Sequence, residues 1–163
     1  MVIRVRPINE RERGGGSLEK VKLCLTVERN EKMILDRGMD QKTFTFDYVA
    51  TQDSEQSVLF ERIARPITES CLQGYNGSIF AYGQTGSGKT FTIQGPTMMI
   101  HGEETLIGAS NATDASMHEM RGIMQRSFEH LFECMENQKL ESAKQGIELQ
   151  FLVKTSYLEI YNE

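Results

Sequence analysis

Residues Ser78-Ile-Phe-Ala-Tyr-Gly83-Gln-Thr-Gly-Ser-Gly-Lys89-Thr90 hold an apolar run, a glycine-rich turn and a Lys-Thr pair, in that order. Ser78 to Tyr82 reads as a short buried strand, and Gly88 to about Gln94 as a helix halted by Gly95-Pro96. The turn between them, Gly83 to Thr90, spells a complete G-x-x-x-x-G-K-[ST] phosphate loop. Glycines at 83, 86 and 88 let the backbone wrap closely, so that successive N–H groups face phosphate oxygens at the positive end of the following helix. Lys89 is placed to neutralise β- and γ-phosphate charge, and the Thr90 hydroxyl to supply one oxygen to a bridging Mg²⁺. Chance spells the motif in about one chain in two hundred of this length. The strand before it and the helix after it are what a chance match lacks.

Working outward, 163 residues suffice for one domain and are too few for two. Counting Gly and leaving out Tyr, about 45% of the chain is apolar, at the low end for soluble globular proteins, which argues against disorder throughout. Lys+Arg 18 against Asp+Glu 23 gives a net charge of -5, so bulk charge does not favour nucleic acid as a partner. Cys24, Cys71 and Cys134 are odd in number and widely spaced, which fits reduced packing cysteines better than a disulfide framework or a zinc site. The first residues lack the apolar core of a signal peptide, and Ser70 to Gly88, the longest uncharged stretch, contains five glycines and is not a spanning helix. No membrane partner is expected, and the sequons at Asn76 and Asn111 are taken as coincidental.

Val2 to Arg6 reads as a strand closed by Pro7, and Glu10 to Gly16 as a charged, glycine-rich loop. Val21, Leu23, Leu25 and Val27 alternate with polar neighbours, and Lys42 to Val49 repeats the pattern through Phe44, Phe46 and Tyr48, predicting two strands. Asp53 with Gln56 three residues on marks a helix start; Leu59, Ile63, Ile67 and Cys71 continue one face until Gly74, with a kink predicted at Pro66. Residues 97–119 show no period and read as a long exposed loop. Helical spacing returns from Ile123 through Met135, and Ile147, Leu149, Phe151 and Val153 predict a strand running on towards Ile160.

Other chemistry is weaker. His118-Glu119 begins an H-E-x-x-H motif that fails at Gly122, and Glu159 after Tyr157-Leu158 is more simply an exposed strand residue than the acid of a second phosphate-site motif. The nine methionines read as core and loop filler.

Gly74-Tyr-Asn-Gly-Ser-Ile-Phe-Ala-Tyr-Gly-Gln-Thr-Gly-Ser-Gly-Lys-Thr90 closely resembles the phosphate-loop region of kinesin motor domains. Arg4-Val-Arg6-Pro7 resembles the kinesin R-x-R-P signature, Thr43-Phe-Thr-Phe-Asp47 the strand before the first long helix, and Ser156-Tyr-Leu-Glu-Ile-Tyr-Asn-Glu163 a later strand. Four motifs in family order span almost the whole of residues 1–163. The resemblance implies an α/β P-loop NTPase fold, a kinesin-type motor with a mostly parallel central sheet flanked by helices, of which this chain is the N-terminal part. It implies ATP and Mg²⁺ as ligands. Gly83, Gln84, Thr85, Gly86, Ser87, Gly88, Lys89 and Thr90 would hold the phosphates, with Thr90 on the metal; Arg4 and Pro7 would contact the base and Phe91 stack near it.

Residues 97–119 match the variable loop that interrupts a kinesin helix, and with Arg121-Gly-Ile123 they look most like spindle or phragmoplast kinesins. Gln125 stands where many kinesins have proline. By the same resemblance, switch I, switch II and the microtubule-binding helices lie beyond residue 163, so the chain alone is expected to bind nucleotide poorly and turn it over negligibly. The parent is expected to act on microtubules in the cytoplasm, on the cytoskeleton or spindle, as a homodimer or higher oligomer with a coiled coil. Two rivals remain: a short non-catalytic interaction protein, and an unrelated small phosphate-loop kinase or GTPase. The latter is opposed by Arg4 to Pro7 and by the lack of an N-K-x-D motif.

Overall fold

The computed structural model describes residues 1–9, 12, 24–100, 103–106 and 118–160, with 97–100 and 103–106 as backbone. Strand β1 (Val2–Arg4) pairs in parallel with β5 (Tyr48–Ala50), Ile3 opposite Val49, and Val5 continues the pairing with an N–H to the Ala50 carbonyl at 2.9 Å. This parallel pair, covered by helices, is the part of the central sheet that the described residues form. Val49 and Ala50 are fully buried, as β-strand residues enclosed on both faces should be.

A separate antiparallel sheet contains β2 (Leu25–Glu28), β3 (Lys32–Asp36) and β4 (Gln41–Thr45) in that order. The turn joining β2 to β3 has Arg29 and Asn30 at φ 52° and 56°, the left-handed conformation of a tight hairpin. Two expectations change here. Alternation from Lys42 to Val49 reads as one strand, but the chain breaks at Phe46-Asp47 and its halves enter different sheets, β4 antiparallel and β5 parallel. Period two persists through the corner, so it does not reveal the break. Strand β3 is new: Met33-Ile34-Leu35 is a short apolar run without alternation. Residues 21–23 of the strand expected from Val21, and the Glu10 to Gly16 loop apart from Glu12, lie outside the described residues.

The expected helix from residue 53 is present as α1 (Gln56–Leu59), a π-helical turn (Phe60–Ala64) and α2 (Arg65–Leu72). Its N-cap is Glu55, with no side-chain cap bond, rather than Asp53. Pro66 cannot donate the backbone bond a regular helix needs, and the wider π turn ends at Ala64, two residues before it, as the helix irregularity next to the proline. Gly74, at φ +95°, ends the helix, with the Tyr75 N–H bonded to the Ser70 carbonyl.

Helix α3 (Lys89–Ile93) follows the phosphate loop, and α4 (Ile123–Lys144) packs on α2, α3 and the π turn. Between them, β6 (Thr97–Ile100) and β7 (Glu103–Leu106) form a hairpin inside what the composition predicts to be loop; residues 107–117 lie outside the described residues. Helix α4 runs nine residues beyond Met135, the last apolar residue of its predicted stripe. Those residues are mostly polar, apart from Leu140 and Ala143, and carry Glu136–Lys139 and Glu141–Lys144 pairs one turn apart, support that a hydrophobic period does not register.

The core is Ala50, Leu59, Phe60, Ala64 and Ile123, with Val2, Tyr48, Ile63 and Ile79 against it. Two predicted strands have no ladder among the described residues. Ser78 to Tyr82 is extended and alternates in burial, Ile79 and Ala81 inward, Phe80 and Tyr82 86% and 97% exposed, but no strand pairs with it. Residues 147–160 are likewise without strand pairing, with Leu152, Tyr157, Leu158 and Ile160 exposed. Strand assignment requires a hydrogen-bonded neighbour, and sequence alternation reports only the side-chain half of that requirement. Cys24 and Cys71 are exposed rather than packed, while Cys134 is half-buried; all three are free.

Candidate functional site

The phosphate loop leaves the extended segment at Gly83 and enters α3 at Lys89. Gly86 and Gly88 take φ of +77° and +95°, values that ordinary side chains rarely adopt. Gly88 is the N-cap of α3, and among the described residues the amides of Gly88, Lys89 and Thr90 have no backbone acceptor, the expected state of a helix N-terminus. A loop that turns its free amides to solvent at the positive end of a helix offers anion-binding donors.

Lys89 folds over this loop. Its ammonium donates to the Gly83 carbonyl at 2.8 Å and the Gln84 carbonyl at 2.9 Å, which keeps the charge at the centre of the curve. Ser87 N–H closes the turn on the Gln84 carbonyl at 3.2 Å, and a side chain on Gly83 would press on the Ser87 hydroxyl. Gln84, Thr85 and Gly86 are exposed at the tip; Thr90, also exposed, lies one residue into the helix. The arrangement fits a polyphosphate with Mg²⁺: free amides and one ammonium for the anion, and a hydroxyl at the helix start for the metal. Among the described residues no cluster of three or more His, Cys, Asp or Glu comes together.

The other predicted residues divide. Arg4, half-buried on β1, reaches α3: its Nη1 donates to Thr92 Oγ1 and to Gln56 Oε1, both at 2.8 Å, and its guanidinium lies 5.1 Å from the Phe91 ring centroid. Burial lowers its pKa from the ordinary arginine value. Arg4 and Phe91 thus form one cation–π wall beside the loop. Pro7 is exposed past the end of β1, with its carbonyl accepting from Arg6.

Two features escape the sequence reading. Gln56, assigned there to the start of a helix, is 3% exposed and donates through Nε2 to the Phe91 carbonyl at 2.6 Å and the Met120 carbonyl at 3.2 Å. Gly95 and Gly122 bring the end of α3 against the start of α4. A Cβ on Gly95 would stand 2.8 Å from the Gly122 nitrogen, and one on Gly122 would overlap the Ile93 carbonyl and the Gln94 and Gly95 backbone. Only the bare spacing of these residues was legible in the sequence. At Gln125, the side chain accepts from the Gly122 N–H at 3.3 Å and so serves the helix start that a proline would otherwise define.

Comparison with known proteins places this geometry. The kinesin motor domain family model matches residues 4–163. The chain belongs to the kinesin motor domain family. It is 43% identical over 161 residues to the human kinesin-like protein KIF15, covering 99% of this chain and 10% of the relative. It is 37% identical over 164 residues to the kinesin-like protein KIN-12A of Arabidopsis thaliana, covering 100% of this chain and 11% of that one. The solved structure of a fast kinesin superposes with a TM-score of 0.61 at 31% identity, over 81% of this chain and 31% of that chain. This kinesin chain therefore spans between about a tenth and a fifth of the length of the curated relatives it matches and less than a third of the solved kinesin. Its α/β architecture is that of a kinesin motor, with the phosphate loop joining an extended segment to a helix.

Proposed function

We propose that this chain supplies the ATP-binding part of a microtubule-dependent motor. Gly83 to Thr90 holds the triphosphate, Thr90 offers an oxygen to Mg²⁺, and Arg4, Pro7 and Phe91 border the base. When bound, Mg²⁺ supplies charge neutralisation between the phosphates. Lys89 exchanges its two carbonyl partners for phosphate oxygens, and the loop amides take the remaining anionic charge. The observation that supports this reading most strongly is the Lys89 ammonium held over a left-handed glycine loop at a helix start. The solved fast kinesin that this chain resembles bears on ATPase mechanism and on interactions with microtubules. The whole protein is accordingly proposed to hydrolyse ATP while moving along microtubules, to reside on the cytoskeleton, and to assemble as a homodimer or higher oligomer. Residues 97–119, with the β6–β7 hairpin, correspond in this reading to its variable insertion.

The test is equilibrium titration of Mg-ATP into the longest natural polypeptide that carries these residues. Lys89→Ala should weaken binding at least about tenfold, the loss of one charge-assisted contact; equal affinity would contradict the assignment.

A further inference from the structure

The carboxamide of Gln56 uses both of its N–H donors and one of the two acceptor positions on its oxygen, and these three bonds lead to three different parts of the fold. Oε1 accepts from Arg4 on β1 at 2.8 Å; Nε2 donates to the Phe91 carbonyl in α3 at 2.6 Å and to the Met120 carbonyl before α4 at 3.2 Å. The side chain is 3% exposed, so each lost bond leaves a buried group unsatisfied. Arg4 also holds Thr92 Oγ1 at 2.8 Å, and that hydroxyl donates to the Gly88 carbonyl at 2.8 Å, at the last glycine of the phosphate loop. The chain of contacts runs from Gln56 through Arg4 and Thr92 to the loop. Gln56 also reaches Phe91 directly, fixing both members of the cation–π wall by one rigid amide plane.

We propose that Gln56 is a positioning residue for base recognition, holding Arg4 and Phe91 together as one wall beside the phosphate loop. This rests on the reading that Arg4 and Phe91 border the base. Gln56 bonds Arg4, Phe91 and Met120 directly and reaches Gly88 only through Arg4 and Thr92, so its removal should be felt chiefly by a ligand with a base and little by one without.

Affinities of Mg-ATP and of magnesium tripolyphosphate, measured on the longest natural polypeptide carrying these residues, separate the alternatives. Gln56→Met keeps the volume and removes all three bonds. It should weaken Mg-ATP about tenfold, the scale of a hydrogen bond to a charged group, while tripolyphosphate stays within about twofold. Gln56→Glu keeps an acceptor for Arg4 and loses the donors to both carbonyls; it should give a smaller loss, again confined to Mg-ATP. Should the Met variant fail to fold, the Glu variant decides by the same ratio. Equal losses for both ligands, or no loss for either, would overturn the inference and leave Gln56 a structural residue. Arg4→Ala distinguishes the underlying reading: if it too leaves the ratio unchanged, the base wall itself is wrong. If Arg4→Ala shifts the ratio and neither Gln56 variant does, only the role of Gln56 fails.

Discussion

Gly88 shows how a single backbone angle shapes the site. At φ +95° it lets the chain turn from the loop into α3 as the helix N-cap. Gly88→Ala imposes a left-handed cost of about 1–2 kcal/mol, to be read as a fall in denaturant midpoint; unchanged stability would mean the loop does not need that angle. Gly122→Ala is a different fault, because its Cβ meets the backbone of Ile93 to Gly95 and not a flexible side chain. It should cost about 1–3 kcal/mol by overpacking, and a variant as stable as the parent would show that α3 and α4 do not cross there. Arg6 and Glu12 allow a test by pH. The Arg6 hydrogen bonds hold the Glu12 carboxyl at about 2, below its ordinary 4.5, so the pair's contribution is complete above pH 4.5 and is lost as pH falls towards 2. Both side chains are partly exposed, so the effect is small. The Tm difference between parent and Glu12→Gln should shrink across that window, and a constant difference would exclude the pairing.

At the scale of elements, the helix from α1 to α2 organises the core. Leu59, 1% exposed, packs with Ala50, Phe60, Ala64 and Ile123. Leu59→Ala should cost about 2–5 kcal/mol, whereas Leu140→Ala on the exposed side of α4, at 55% exposure, should change stability by under about 0.5 kcal/mol. Comparable effects at both positions, measured by urea unfolding, would place the core elsewhere. The same elements show what a sequence can reveal. Turn and helix punctuation was legible because it is local: Gly74, Gly88, Gly95 and Pro66 each act through their own backbone. Strand pairing was not, because Phe46-Asp47 looks like any polar-apolar step although the chain changes sheets there. The phosphate loop was legible as a motif, and Arg4 and Phe91 only through a family resemblance. Gln56 was hidden, because its partners lie 35, 52 and 64 residues away.

For the whole molecule, the decisive fact is how much apolar surface the segments without sheet partners leave uncovered. Phe80 and Tyr82 before the loop, and Leu152, Tyr157, Leu158 and Ile160 later in the chain, stand on extended segments without sheet neighbours among the described residues. Such segments call for further strands, and until paired they invite association. Residues 1–163 produced alone should therefore bind a hydrophobic dye strongly, and a longer natural polypeptide containing them should not. Equally weak binding by both would mean that these faces are covered within the chain. The net charge of -5 agrees with a nucleotide-bearing part whose acidic microtubule track is met by other residues of the proposed motor. The most direct measurement is the ATPase rate of the longest natural polypeptide carrying this chain, with and without microtubules, for the parent and for Lys89→Ala. A motor built on this phosphate loop will hydrolyse ATP faster when microtubules are added and lose that activity with Lys89; hydrolysis indifferent to microtubules, or untouched by the substitution, would contradict it.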